Sequence, residues 1–512
     1  MPGMPIRVAF LAAECEPWAK TGGLADVVDA LARALGRIAG GPVATVDVFL
    51  PRYRGIAVPE GATAVPVRVP DPTARTGLTE LTVFDVAAAG YRLRLVDHPA
   101  AFDRDGFYGT DRGDFPDNAW RFGLFCRAAL ETIRRDPQPV DVLHLHDWHA
   151  APASILRDLR YADDPVLGRV AVLHTLHNLA YRGWTPVDRL GDLGLNEDDV
   201  RDALSGERLD LLLAGIERAE LVNTVSPGFA AEALTAAFGR GLEGTLQSLG
   251  DRFLGILNGI DGELWDPARD ATLAATYERG DRAGKAACRA DLLARLAFDP
   301  ADDGPVLGMI GRLDPQKGFD LLAGALPALL ERGARVVVQG DGQRALAEPF
   351  RAFVAQHPGR VALVERFDRA MARRIYAGCD LFVMPSRFEP CGQGQMIALR
   401  YGTPPIVRRT GGLADSVVDV SEDPGRGTGF VFDEATPEAL LAACLRAIDL
   451  RAAGGPPWTA LVERGMAVDF DWVSGSAPHY VDAYRRALEI RARRIATDEP
   501  PTPAPVGAPF GP

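Results

Sequence analysis

Pro385-Ser386-Arg387-Phe388-Glu389-Pro390-Cys391-Gly392-Gln393-Gly394-Gln395 stands between an apolar run, Asp380-Leu381-Phe382-Val383-Met384, and a stretch of helical spacing, Met396-Ile397-Ala398-Leu399-Arg400-Tyr401. A short apolar run bounded by turn residues reads as a buried parallel strand. The stretch is then a strand-to-helix loop on the carboxyl edge of a sheet, where open α/β folds bind ligands. It holds one carboxylate, Glu389, between two rigid turns. Gly392, Gln393 and Gly394 fall at the start of the helix, where free N–H groups and the helix dipole favour an anion. A carboxylate beside a phosphate cradle suits a sugar nucleotide, because the acid can bind hydroxyls while the helix end holds the diphosphate. An ordinary Gly/Pro-rich turn has the same local composition, so the surrounding chain must decide.

The same alternation of strand, loop and helix fills the second half. Val306-Leu307-Gly308-Met309-Ile310 reads as a strand, Gly311-Arg312-Leu313-Asp314-Pro315-Gln316-Lys317-Gly318 as its loop, and residues 319–331 as a helix. Further strands are predicted at 334–339, 361–364 and 405–407. The first half follows the same plan, with strands at 7–13, 44–50, 142–145 and 170–173, a β-rich span over 64–96 and a helix through Ile133. Units of this length imply a parallel sheet with helices on both faces. Gly22-Gly23-Leu24-Ala25-Asp26 recurs as Gly411-Gly412-Leu413-Ala414-Asp415, once in each half and each time before a helix. The echo suggests two similar α/β domains presenting glycine loops across a shared cleft. In the first copy Lys20 can reach an anion, and Gly22 and Gly23 let the backbone approach a ligand closely.

At 512 residues the chain is too long for one core, so two domains and a tail are expected. The boundary is placed near 261–270. A basic amphipathic helix over 480–495 reads as a solvated face above a packing stripe, and the Pro-rich tail from Asp498 reads as disordered. The net charge of −13 argues against nucleic acid or an anionic membrane as main partner. Cys15, Cys126, Cys288, Cys379, Cys391 and Cys444 form no CxxC pair and read as buried reduced thiols. No apolar run is long enough to span a bilayer and the N-terminus lacks a signal peptide pattern, so a soluble cytoplasmic protein is expected. His144, His146, His149, His174 and His177 gather at two strand ends. No third ligand is fixed by spacing on one element, so hydrogen bonding outweighs metal binding as their role.

As a set, these motifs resemble the bacterial glycogen synthase and plant starch synthase family. The matching segments are 20–27, 116–122, 144–150, 177–183, 224–227, 257–261, 311–318, 385–392 and 401–415, and their order along the chain is what is specific. The resemblance implies an α/β protein with two Rossmann-like domains facing across a cleft, the GT-B glycosyltransferase fold. Residues 1–262 would form the acceptor-side domain, 263–476 the nucleotide-sugar donor domain, 477–496 a helix crossing back to the first domain, and 497–512 the tail. It implies retaining transfer of glucose from ADP-glucose to the non-reducing 4-OH of an α-1,4-glucan such as glycogen, with no cofactor and no metal. Glu389 would bind glucose hydroxyls and stabilise the positive sugar-like transition state. His149 would orient the glucose, and Arg312 and Lys317 would hold the departing diphosphate, an arginine gripping two oxygens and a lysine acting as a point charge. Lys20, Gly22, Gly23, Phe367, Cys391, Gly392, Gln393 and Gly394 complete the implied donor site, with Phe367 against adenine. Asp26, His177, Asn178 and Asn258 fall on the acceptor side.

The chain departs from the family in three places. Gln393-Gly394 stands where Leu-Thr is usual, which removes a threonine hydroxyl and predicts a more flexible loop. Leu213 replaces a usual lysine, and Arg182 a common glutamine. These departures leave two alternatives beside an ADP-glucose synthase. One is a related glucosyltransferase using UDP-glucose or a small acceptor, and the other is a non-catalytic glucan-binding protein.

Overall fold

The computed structural model describes residues 5–38 and 41–497, so the tail expected to be disordered lies outside the described residues. The chain divides into two compact units. The first holds the chain up to Val225, Ala230–Ile256 and everything from Trp472 onward; the second holds Ser226–Phe229 and Leu257–Asp471. These turning points fall a few residues ahead of 262 and 477.

The main sheet of the first unit is built from β1 (Ile6–Leu11), β2 (Val43–Pro51), β3 (Thr63–Pro70), β4 (Leu78–Ala88), β5 (Tyr91–Asp97), β6 (Val142–His146), β7 (Ala171–Leu176), β8 (Leu221–Thr224) and β9 (Phe253–Gly255). They form one sheet in the order β9-β8-β7-β6-β1-β2-β5-β4-β3. The central strands are apolar on both faces, as in Val8-Ala9-Phe10-Leu11, because helices cover both sides of a parallel sheet. The sheet is not parallel throughout: β4 runs antiparallel to both β5 and β3. Only Ala89 and Gly90 separate β4 from β5, and Gly90 takes φ 92°. So short a link can make a hairpin but not a parallel crossover.

The helices that carry site residues follow strands directly. α1 (Gly23–Leu35) buries Leu24, Val27, Val28, Leu31 and Leu35 along one face. α2 (Asn118–Arg135) and α3 (Asp147–Arg160) pack side by side. The last helix, Ala477–Thr497, lies on this unit with Tyr480, Tyr484 and Ala487 buried. Its arginines are not all solvated as expected. Arg494 and Arg491 reach Glu220 at 2.8 and 3.5 Å, and Arg491 also donates to Gly168 O at 2.6 Å. Glu220 is fully buried and also pairs with Arg157 at 2.6 Å. A buried carboxylate needs such counter-charges. Burial would raise its pKa, but the three guanidiniums hold it below the usual glutamate range.

The second unit is a six-stranded parallel sheet of β10 (Val306–Ile310), β11 (Arg335–Gln339), β12 (Val361–Val364), β13 (Leu381–Met384), β14 (Pro405–Arg408) and β15 (Phe430–Phe432), in the order β12-β11-β10-β13-β14-β15. Each strand is followed by a helix, among them α4 (Phe319–Glu331), α5 (Gly394–Arg400) and α6 (Gly411–Ser416). Its core joins Leu307, Phe319, Val336, Phe350, Leu381 and Ile406. The carboxyl ends of β10 and β13 deliver the loops 311–318 and 385–393 to one edge.

Candidate functional site

In the first unit the candidate residues gather at the ends of β1, β6 and β7. After β1 the chain turns through Glu14, which is 4% exposed. Its carboxylate accepts from Thr21 N at 2.6 Å, Thr21 Oγ1 at 2.5 Å, Gly22 N at 3.1 Å and Tyr108 OH at 2.7 Å. Glu14 thus fixes the glycine loop, a task its sequence context did not reveal. An added Cβ at Gly22 or Gly23 would meet nothing within 4 Å, so the fold itself does not demand glycine there. Lys20 Nζ lies 2.5 Å from Asp26 Oδ1 and 3.4 Å from Glu16 Oε2. Asp26, expected on the acceptor side, is therefore the partner of Lys20.

Tyr108 also stacks on the His149 ring at 4.6 Å between centroids, and Phe122 meets that ring edge-on at 4.9 Å. His149 is buried, its Nδ1 has no hydrogen-bond partner among the described residues, and burial pulls its pKa down to about 3. Its carbonyl accepts from Cys126 Sγ at 3.5 Å. Two residues earlier, Asp147 takes φ 57°, a left-handed conformation uncommon outside glycine and best tolerated by Asn, Asp and His. Asp147 Oδ1 accepts the backbone N–H of His177 at 2.7 Å, which ties the end of β6 to the loop after β7. Burial raises the Asp147 pKa to about 7 against the pull of the His177 and Asn178 amides. The sequence singles out segment 144–150, but no role within it falls to Asp147; the signal is its backbone.

His146 Nδ1 lies 3.0 Å from His177 Nε2, and the His144 and His146 rings are 4.2 Å apart. Burial holds His144 and His146 well below the usual histidine range and His177 at about 3. Among the described residues no group of three or more His, Cys, Asp or Glu is arranged to hold a metal ion. Asn178 is half-buried, and its Oδ1 accepts from Ala180 N at 3.0 Å.

The second unit gathers the other residues at the ends of β10 and β13. Lys317 Nζ lies 2.6 Å from Glu389 Oε2, and Ser386 Oγ donates to the same oxygen at 2.9 Å. The two loops are bound to each other: Arg387 N donates to Gln316 O at 2.8 Å, and Gln316 Nε2 to Phe388 O at 3.1 Å. Gly318, at φ 71°, packs so closely that a Cβ would lie 2.2 Å from Pro385 O. Arg312 is exposed and forms no hydrogen bond or ion pair among the described residues. Phe367 is 69% exposed, with Arg369 over its ring.

The loop from Cys391 to Gly394 is fastened rather than loosened. Gln395 is fully buried, and its Nε2 donates to Cys391 O at 3.2 Å, Gly392 O at 3.1 Å and Ser416 Oγ at 2.9 Å. A Cβ at Gly394 would sit 3.1 Å from Met384 Sδ and 3.2 Å from Phe382, so those side chains fill the space a threonine would take. Gln393 caps α5 without a side-chain hydrogen bond. The Cys391 thiol is buried and pushed up to about 12, so only its backbone can serve a ligand. Asn258, expected on the acceptor side, belongs to the second unit beside Cys391, and its buried Oδ1 has no partner among the described residues. All six cysteines are free and buried.

The two copies of the echoed motif differ in function. The glycines of the first face open space. Those of the second are pressed on loop 385–391, where a Cβ at Gly411 or Gly412 would lie 2.1 Å from Glu389 O or 2.2 Å from Cys391 O. Asp415 accepts from Gly228 N at 2.6 Å. The second copy is a buttress for loop 385–391.

Two Rossmann-like units in this order place the chain in the GT-B class of glycosyltransferases. Residues 7–248 match the starch synthase catalytic domain family, and residues 304–449 match glycosyl transferases group 1. The glycogen synthase of Anaeromyxobacter dehalogenans (strain 2CP-C) is 44% identical over 486 residues, covering 94% of this chain and 99% of that one. The glycogen synthase of Syntrophotalea carbinolica is 40% identical over 496 residues, covering 95% and 99%. Among solved structures, the catalytic domain of starch synthase IV from Arabidopsis thaliana, bound to ADP and acarbose, matches with a TM-score of 0.86 at 34% identity, covering 95% of this chain and 100% of that one. The chain belongs to the glycogen synthase and starch synthase family.

Proposed function

We propose that the protein elongates an α-1,4-glucan by retaining transfer of glucose from ADP-glucose to the non-reducing 4-OH, in the cytoplasm and with neither metal nor cofactor. The observation that carries this reading is the Lys317–Glu389 pair beside the unpartnered guanidinium of Arg312. Breaking the bond from the sugar C1 to the diphosphate leaves positive charge on the sugar and negative charge on the leaving group. Glu389 faces the first need, and Lys317 and Arg312 face the second, as fixed charges that require no reorganisation. The amides of Gly392, Gln393 and Gly394 add donors to the phosphates, and Phe367 stacks on the adenine. Lys20, paired with Asp26, and the amides of Gly22 and Gly23 add further donors for the diphosphate. His149, His177, Asn178 and Asn258 orient the glucose and the acceptor.

Similarity to glycogen synthases and to a starch synthase bound to ADP and acarbose supports this reading. Incubation with ADP-glucose and a glucan primer should release ADP and lengthen the primer. No ADP release with any primer would end the proposal. A second reading, a glucosyltransferase using UDP-glucose or a small acceptor, draws on Arg182, which is buried against Asp210 and donates to Arg240 O at 2.7 Å where the family commonly has glutamine. Competition between the two nucleotide sugars, over acceptors of graded length, separates the readings.

A further inference from the structure

The buried histidines of the first unit carry enough hydrogen bonds to fix their tautomers. Thr175 Oγ1 donates to Asn223 Oδ1 at 2.6 Å, which uses its one proton. His144 Nε2, 2.6 Å from the same hydroxyl, must then be the donor to it, and His144 Nδ1 must accept from Tyr484 OH at 3.0 Å. His174 Nε2 lies 3.1 Å from Asp147 O, which only accepts, so its proton is on Nε2.

His146 presents the same choice. Its ring is fully buried, Nδ1 faces His177 Nε2 at 3.0 Å, and Nε2 has no partner among the described residues. If the proton sat on Nε2, a buried N–H would be orphaned; if it sits on Nδ1, only a lone pair is. Orphaned donors are the rarer and costlier of the two. We infer that His146 is a positioning residue. Its Nδ1–H donates to His177 Nε2 and fixes His177 as the tautomer with its proton on Nδ1. His177 therefore meets its ligand as an N–H donor, suited to an oxygen acceptor such as a sugar hydroxyl. Its backbone is fixed at the same time by Asp147 Oδ1. The last helix contributes too, because Tyr484 sets His144, whose ring lies against His146.

This rests on the reading of His177 as a ligand-facing residue of the synthase site. The test is histidine-selective NMR of the imidazole nitrogens in the full chain, joined to steady-state kinetics. Wild type should show His177 protonated at Nδ1 and not at Nε2. His146→Leu should release His177 to a mixture of tautomers and lower kcat roughly tenfold, the worth of about one hydrogen bond, with KM for the donor within about twofold. His146→Asn, whose amide nitrogen can occupy the Nδ1 place, should restore most of the rate. Protonation of His177 at Nε2 in wild type overturns the inference whether or not the variants fold, as does an unchanged tautomer in His146→Leu. The tautomer is read without substrate, so a failure to release ADP would count against the synthase reading alone.

Discussion

The ion pair of Lys317 and Glu389 gives a prediction whose size follows from the structure. The charges are 2.6 Å apart, with the side chains 22% and 7% exposed. At an effective dielectric constant of about 20 the attraction is about 6 kcal/mol. Desolvation offsets part of it, and removing one partner of such a buried pair costs about 3–5 kcal/mol. Lys317→Met leaves the more deeply buried charge alone and should cost about 3 kcal/mol. Glu389→Gln leaves a lysine that can turn to water and keeps an acceptor for Ser386, so about 1 kcal/mol is expected. The double variant should recover about 2 kcal/mol relative to the sum of the singles. Thermal unfolding of the second unit is the assay: Lys317→Met should lower its midpoint by roughly 6–12 °C, at about 2–4 °C per kcal/mol for a unit of this size. In kcat, each single should lose about 10²–10³-fold, and the double should be little worse than the poorer single, because the groups act together. A coupling below about 0.5 kcal/mol would refute the reasoning, since independent sites add within that margin.

Arg312→Ala should leave stability within about 0.5 kcal/mol, as expected for an exposed residue without partners, while kcat falls about 10²–10³-fold. Phe367→Ala should raise KM for ADP-glucose about two- to tenfold with kcat unchanged, the worth of one aromatic stack, as read from initial rates. Glu220→Ala leaves the buried Arg157 with Asp158 as its one carboxylate and releases Arg494 and Arg491; unfolding in urea should show a loss of about 3 kcal/mol. Asp147 has its pKa raised from 3.8 to about 7, so between those values the folded state binds more protons than the unfolded one and stability falls as pH rises. Asp147→Asn should remove that slope, a difference of up to about 4 kcal/mol between pH 4 and 7; parallel slopes in the two proteins would contradict it.

The alternation of apolar runs with glycine loops was enough to read the strands and helices near the site, because parallel strands are apolar on both faces and their loops are rich in glycine. What stayed hidden depended on contacts between distant residues. The antiparallel edge followed from a two-residue link after β4 inside a span read only as β-rich. The resemblance places Asp26 on the acceptor side, yet it pairs with Lys20, and the loss of the Thr hydroxyl at Gly394 looked like a loosening, yet Gln395 locks the loop. Arg491 and Arg494 belong to a polar-looking helix face, but the buried carboxylate that draws them in is at Glu220, far back in the sequence. Glu14 lies outside every matching segment, and Asp147 lies inside one without a role assigned to it; the first acts through four hydrogen bonds and the second through its backbone conformation. The echoed GGLAD motif shows the opposite error, where identical residues do different work because only one copy is pressed against a neighbouring loop.

The central claim is that this chain moves glucose with retention from ADP-glucose onto a glucan end, using Glu389 and its cationic neighbours. NMR of the first product formed from carbon-labelled ADP-glucose and a short malto-oligosaccharide reads this directly. The account predicts one new α-1,4-linked residue at the non-reducing end for each ADP released, and both products formed about 10²–10³-fold more slowly by Glu389→Gln. A β-linkage, free glucose in place of the longer chain, or an undiminished rate in Glu389→Gln would contradict it.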